Sequence, residues 1–173
     1  MMRIPQTDRP ALMKAFGNAD LRGKTALLLA TWFGTGAMPV TPGTFGTVAS
    51  LPLILILNHA TPLQKVSFLI VFIALAIWSS SLCARILGKK DPSEIVIDEV
   101  AGFLLTILFL PTSWTALLLA FVLFRIFDIL KPFPIGALDR NIPGGTGIVV
   151  DDLLAGVYTY IGTRLLLILL NGN

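Results

Sequence analysis

The run Val66–Leu87 sets the terms for everything else in the chain: it is almost wholly apolar, and Arg85 is its one charged residue. As a helix it would measure about 33 Å, enough to cross the hydrocarbon core of a bilayer. Three other apolar zones flank it. Asp152–Leu170 is also long enough to span. Val100–Phe127 is interrupted at Pro111-Thr112-Ser113-Trp114, which reads as a turn with Trp114 at an interface. Thr25–Leu57 is broken at Gly34–Phe45. Charged residues make up 13% of the 173 residues and apolar types 55%, against roughly 25% charged in a soluble domain. So few charges cannot cover a water-exposed surface, so the chain is expected to be an integral membrane protein.

The predicted fold is all-α: a membrane helical bundle with several full spans and some short or half-spanning helices, and active-site loops on one face. The short ones are Gly46–Leu57 and about Asp98–Leu110, each about 18–20 Å long. Irregular backbone at membrane depth is tolerated only where protein or water covers it, so short helices hint at a site. The domain reading is an N-terminal arm, residues 1–24, followed by one membrane-embedded unit, residues 25–173. In the arm, Leu12, Met13 and Phe16 are expected on the lipid surface beside Lys14. No cleavable signal sequence is expected, because five basic residues precede the first apolar run without a small-residue cleavage pattern.

Every Asp and Glu lies in the arm or in one of three polar segments, Lys89–Glu99, Asp128–Arg140 and Asp151–Asp152. Counting crossings puts all of these on one side, with eleven of the thirteen Lys and Arg residues; Lys65 and Arg164 are the exceptions. The positive-inside rule makes that side cytoplasmic. A net charge of +3 without a basic stripe argues against nucleic acid.

Four segments carry chemistry. They are Thr41-Pro42-Gly43-Thr44-Phe45-Gly46-Thr47, the pair Asp98-Glu99, the set Arg125, Asp128 and Lys131, and Gly144-Gly145-Thr146-Gly147 leading to Asp151-Asp152. Acidic groups at helix ends suit a hard cation such as Mg²⁺, which takes carboxylate and phosphate oxygens. Arg125, Asp128 and Lys131, spaced i, i+3, i+6, are expected on one helical face, where the two cations suit a phosphate. The Gly43–Thr47 stretch opens a helix whose free N–H groups and hydroxyls suit an anion. Plainer readings stand beside these. Asp98 and Asp151 suit helix N-caps, Arg125 and Asp128 a structural pair, and Lys89-Lys90 a membrane anchor. Adjacent helical residues point about 100° apart, so the two members of an acidic pair should rarely face one ligand. Cys83 reads as packing, and Arg164 has no assigned role.

The inventory removes several chemistries. His59, the one histidine, is on the far side, Cys83 sits mid-helix, and no phosphate-loop Gly-Lys-Ser/Thr signature exists. Carboxylates with a divalent metal remain. A small transporter is the reading from another class, but its acids should lie near mid-bilayer and often come with internal repeats, which are absent here. A CDP-alcohol phosphotransferase would need an Asp-rich pattern that the chain lacks.

Taken in order, Pro42–Thr47 before Leu51-Pro52, Ile95–Gly102, Phe124–Pro134, and Asp139-Arg140 followed by Gly144–Gly156 resemble the phosphatidylglycerophosphatase A family, in its membrane-embedded branch, over about Trp32 to Gly156. The resemblance implies an all-α fold and Mg²⁺-dependent hydrolysis of phosphatidylglycerophosphate to phosphatidylglycerol and phosphate. It also implies a multi-pass enzyme of the bacterial inner membrane, with the bilayer and this phospholipid as partners. The catalytic group is then expected to be Asp98, Glu99, Asp128, Asp151 and Asp152. Glu99, Asp128 and Asp152 are expected to hold the metal, with Asp98 and Asp151 capping helices or completing the shell. Arg125 and Lys131 are expected to hold the phosphate with Gly43, Thr44, Gly46 and Thr47.

Overall fold

The computed structural model describes residues 8–171, apart from the side chains of Asp139, Arg140 and Asn171. The expectations that fall on the first seven residues and on Asp139-Arg140 side chains lie outside the described residues. Everything regular that is described is helical: α1 Arg9–Asn18, α2 Leu21–Ala30, a 3₁₀ turn Thr35–Ala37, α3 Pro42–Ala49, α4 Leu51–Leu57, α5 Pro62–Leu87, α6 Ile97–Ile107, α7 Trp114–Leu130, α8 Ile135–Asn141 and α9 Gly144–Asn171.

The helix ends follow local chemistry. Thr61 and Gln64 form a reciprocal capping box ahead of α5, and Pro62 takes a first-turn position where no N–H is needed. Gly88 ends α5 in the left-handed region, at φ 65°. Ser113 Oγ accepts from Ala116 N at 3.1 Å and starts α7, so the expected turn at Pro111–Trp114 forms, with Trp114 79% exposed. Asp20 caps α2 by accepting from Gly23 N at 2.8 Å.

α5 and α9 are the two described helices long and apolar enough to cross a membrane. Their outer faces, with Ile70, Val71, Ile161 and Leu165, are apolar and exposed, as lipid-facing surfaces are. Of the several full spans expected, these two are the ones that length and composition support among the described helices. α6, at 11 residues, rises only about 16 Å and does not cross alone. It is instead the core element: Val100, Ala101, Phe103 and Leu104 are all buried between its neighbours.

α6 and α9 approach closely because glycine lies at the crossing. A Cβ on Gly102 would lie 2.4 Å from Asp152 O, and one on Gly156 would lie 2.3 Å from Gly102 O. Thr106 Oγ1 donates across the seam to Gly156 O at 2.9 Å. Small residues and hydroxyls of this kind are how helices associate in lipid, where apolar side chains gain little by leaving the solvent. Gly145 lets the start of α9 meet α5 in the same way, since a Cβ there would lie 2.3 Å from Ser81 Oγ.

Several boundaries differ from expectation. The stretch expected as one helix, Gly46–Leu57, is two, α3 and α4, parted at Ser50 before Pro52. α2 runs through the expected arm boundary at residue 24. Leu12 is 8% exposed and belongs to the core, whereas Met13 and Phe16 do face outward. Lys89 is more than an anchor: its Nζ donates to Glu94 Oε1 at 2.9 Å, and that carboxylate, fully buried, also accepts from Asp8 N.

Candidate active site

The largest correction concerns where α9 starts. The glycine stretch Gly144–Gly147 is its first turn rather than a loop, so Asp151 and Asp152 sit two turns inside the helix. Neither is a cap. Asp98 is not a cap either: Val96 occupies the N-cap of α6, and no side chain caps it. None of these three is an N-cap; Asp98 and Glu99 still sit in the first turn of α6, where acids are favoured, but that does not account for the burial of the group.

They converge. Asp98 and Glu99 from the first turn of α6, Asp128 from the last turn of α7, and Asp151 and Asp152 from α9 all line one cavity of about 430 Å³. Both members of each adjacent pair reach it, against the expectation from helical geometry. The cavity lies between three helices, so side chains about 100° apart on one of them can enter it from different sides. Asp98, Asp151 and Asp152 are each buried. Arg125 and Lys131 line the same cavity.

The cations are engaged by the acids. Arg125 bridges α6 and α7, donating from Nη1 to Glu99 Oε2 and pairing through Nη2 with Asp128 Oδ2 at 3.0 Å. Lys131 Nζ pairs with Asp151 Oδ2 at 2.6 Å. Lys131 does not continue the helical face of Arg125 and Asp128, because it caps α7 in the left-handed region at φ 42°. That turn, and not a shared face, aims its ammonium at α9.

The Thr41–Thr47 segment divides. Thr41, Pro42 and Gly43 line the cavity, whereas Thr44, Gly46 and Thr47 are outside its lining. The Glu99 carboxylate occupies the space beside Gly43 that a Cβ would take, so any larger residue there would have to displace that carboxylate. Gly46 packs on Val96, and Thr47, fully buried, donates to Gly43 O at 2.9 Å. Gly46 thus packs α3 against the N-cap residue of α6, whereas the Thr47 bond is internal to α3. Asp91 and Ser93, in the same polar segment as Asp98, also line the cavity and were not singled out by sequence. Their signal was only position in that segment.

Burial pushes the Asp98 carboxyl well above its usual range, and repulsion from Glu99 and then Asp91 adds to it. Glu99 is pushed up to about 7, chiefly by burial; Arg125 opposes the rise and Asp128 adds to it. Asp98 Oδ1 is buried without a hydrogen-bond partner. Among the described residues no three acidic, His or Cys side chains are arranged as they stand to hold a metal ion. What is present is a crowded set of oxygen donors with more negative than positive charge, a field that a cation or protons must balance.

A model of the family described as phosphatidylglycerophosphatase A matches residues 28–167. A phosphatidylglycerophosphatase A of Escherichia coli (strain K12) is 39% identical over 132 residues, covering 75% of this chain and 76% of the relative. One of Haemophilus influenzae is 40% identical over 139 residues, covering 78% and 83%. A Bacteroides thetaiotaomicron protein, provisionally named a phosphatidylinositol-3-phosphatase, is 36% identical over 143 residues, covering 78% and 89%. No solved structure matches.

Proposed function

The chain belongs to the phosphatidylglycerophosphatase A family, and from that premise we infer that it hydrolyses the terminal phosphate monoester of phosphatidylglycerophosphate, giving phosphatidylglycerol and inorganic phosphate in phospholipid synthesis. The observation that carries this to individual residues is the convergence of six carboxylates, one arginine and one lysine on a single cavity.

The donor set suits Mg²⁺. It is all oxygen and excess in negative charge, and it includes a buried carboxylate oxygen, Asp98 Oδ1, with no partner. Glu99, Asp128 and Asp152 are the proposed ligands, with Asp98 and Asp151 completing their surroundings. When bound, the ion would supply charge stabilisation on the phosphoryl oxygens. Arg125 is placed to hold the phosphate bidentately once it exchanges a carboxylate for it, and Lys131 adds a second positive charge. Gly43 keeps the backbone of α3 close enough for its first N–H groups to face the anion. A carboxylate of the cluster takes the proton of an attacking water. A phosphorylated aspartate is the competing route, and trapping one during turnover would decide for it.

A multi-pass arrangement in a bacterial inner membrane, with the cavity toward the cytoplasm, accounts for the position of most Lys and Arg residues. The decisive experiment is phosphate release by the purified full chain with phosphatidylglycerophosphate, phosphatidic acid and phosphatidylinositol 3-phosphate in parallel, each with Mg²⁺ or excess chelator. Release from phosphatidylglycerophosphate, lost in chelator, is expected. Undiminished turnover in chelator would overturn the metal. Preference for the inositol lipid, the substrate class named for one relative, would overturn the substrate.

A further inference from the structure

A second cavity, away from the carboxylates, lies between the N-terminal helices and the end of the first long apolar helix. It is a groove of about 630 Å³, floored by Ala11, Ala15 and Gly23 and bordered by Lys14 from α1, Arg22 from α2 and Arg85 from the last turn of α5. Gly23 is needed there, because a Cβ would press within 3.2 Å of Ile86 Cδ1 and 2.9 Å of Ala19 Cβ.

The charges on its rim are unbalanced. Among the described residues none of Lys14, Arg22 and Arg85 has an ion-pair partner. Arg85 donates only from Nε, to Ser81 O, which leaves its terminal nitrogens uncommitted. Asp20, the one acid in the lining, accepts from Gly23 N as a helix cap. The groove thus presents three cations against one carboxylate that is already hydrogen-bonded. Apolar side chains stand beside the first two cations in sequence, Met13 next to Lys14 and Leu21 next to Arg22, and they are 67% and 82% exposed. α5, whose end forms the third side, is long and apolar enough to cross a membrane, and a crossing α5 brings its last turn to headgroup level.

We propose that this groove binds the headgroup phosphate of an anionic glycerophospholipid from the leaflet at that end of α5. Lys14, Arg22 and Arg85 grip the phosphate, and Met13 and Leu21 insert beside the acyl chains. A cationic cleft edged with exposed apolar residues at a bilayer surface matches an anionic lipid in both charge and amphipathy. Zwitterionic lipid carries no net negative charge to set against the three cations of the groove. The site is separate from the carboxylate cavity and does not depend on the proposed hydrolysis.

The test is lipid retention by the detergent-purified full chain, read by native mass spectrometry with phosphatidylserine and phosphatidylcholine added in graded amounts. Phosphatidylserine carries no phosphate monoester, so retention reports the groove and not turnover. The wild-type chain should retain phosphatidylserine in preference to phosphatidylcholine, and excess inorganic phosphate should not displace it. Lys14→Gln, Arg22→Gln and Arg85→Gln should each weaken retention roughly fivefold. The charge-preserving Lys14→Arg should retain it, and so should Asp128→Asn, the variant that tests the phosphatase reading. No preference for phosphatidylserine, unchanged retention in the three Gln variants, or displacement by inorganic phosphate would overturn the proposal. The three substitutions are made singly at exposed positions, so the readout does not depend on a triple variant folding.

Discussion

At the residue scale, Gly43 is the position where the smallest change should have the largest effect. Its missing Cβ leaves room for the Glu99 carboxylate, so Gly43→Ala must move either α3 or that carboxylate. Activity is expected to fall on the order of a hundredfold, while the detergent-solubilised protein keeps its helical circular dichroism. Asp128→Asn preserves size and removes one charge; phosphate release should fall by a similar factor, or its Mg²⁺ requirement should rise steeply. Arg125→Lys should also fail, because one ammonium cannot reach Glu99 and Asp128 together as the guanidinium does. Near-normal turnover at low Mg²⁺ in both variants would make the cluster structural. The Glu99 carboxyl, held up to about 7, is protonated on the acid side of that value, and a proton there competes with a cation. The Mg²⁺ concentration for half-maximal activity should therefore rise as pH falls through about 7, and a pH-independent requirement would remove Glu99 from the ligand set.

Between elements, the crossing of α6 and α9 decides whether the acids meet. Gly102 and Gly156 bring the two backbones together, and Asp152 O is itself the atom nearest a Cβ on Gly102. Gly102→Val should cost about 1–3 kcal/mol through overpacking. It should also displace Asp152 from the cavity, so activity should fall further than stability accounts for. Thermal unfolding in detergent together with phosphate release separates the two effects. Thr106→Val keeps the shape and removes the bond to Gly156 O; its cost should be only about 0.6 kcal/mol, typical of hydrogen bonds between membrane helices. The difference between these two substitutions weighs close approach against hydrogen bonding at the same seam.

Across the whole molecule, both ends of the bundle are tied. Gly145 seats the start of α9 on the later half of α5. At the opposite end Lys65 Nζ donates to Leu108 O at 3.3 Å, and Thr112 Oγ1 to Asn58 Oδ1 at 3.4 Å. The carboxylate cavity and the end of α5 that bears Lys89 and Lys90 therefore belong to one side. A cysteine replacing the exposed Lys90, in a Cys83→Ala background, should react with a membrane-impermeant thiol reagent only from the cytoplasmic face. Labelling in intact cells from outside would reverse the topology.

The sequence by itself determined the helical class, the two long apolar helices, the turn at Pro111–Trp114 and, of the cavity's polar residues, Asp98, Glu99, Arg125, Asp128, Lys131, Asp151 and Asp152, but not Asp91 or Ser93. Apolar run length, proline and capping residues act locally, and charges excluded from lipid must collect where protein or water receives them. Only the tertiary structure decided which cluster members face one another. The sequence cannot show that α9 begins at Gly144, because a glycine-rich stretch becomes helical only when packing such as that of Gly145 on α5 offsets its entropy. It cannot show that Arg125, beside its i, i+3 partner Asp128, also reaches Glu99, or that Lys131 turns away from its helix toward Asp151. The contacts to Glu99 and Asp151 span 26 and 20 positions in the chain, and they tie the end of α7 to α6 and to α9 through a long-range packing that no local pattern encodes.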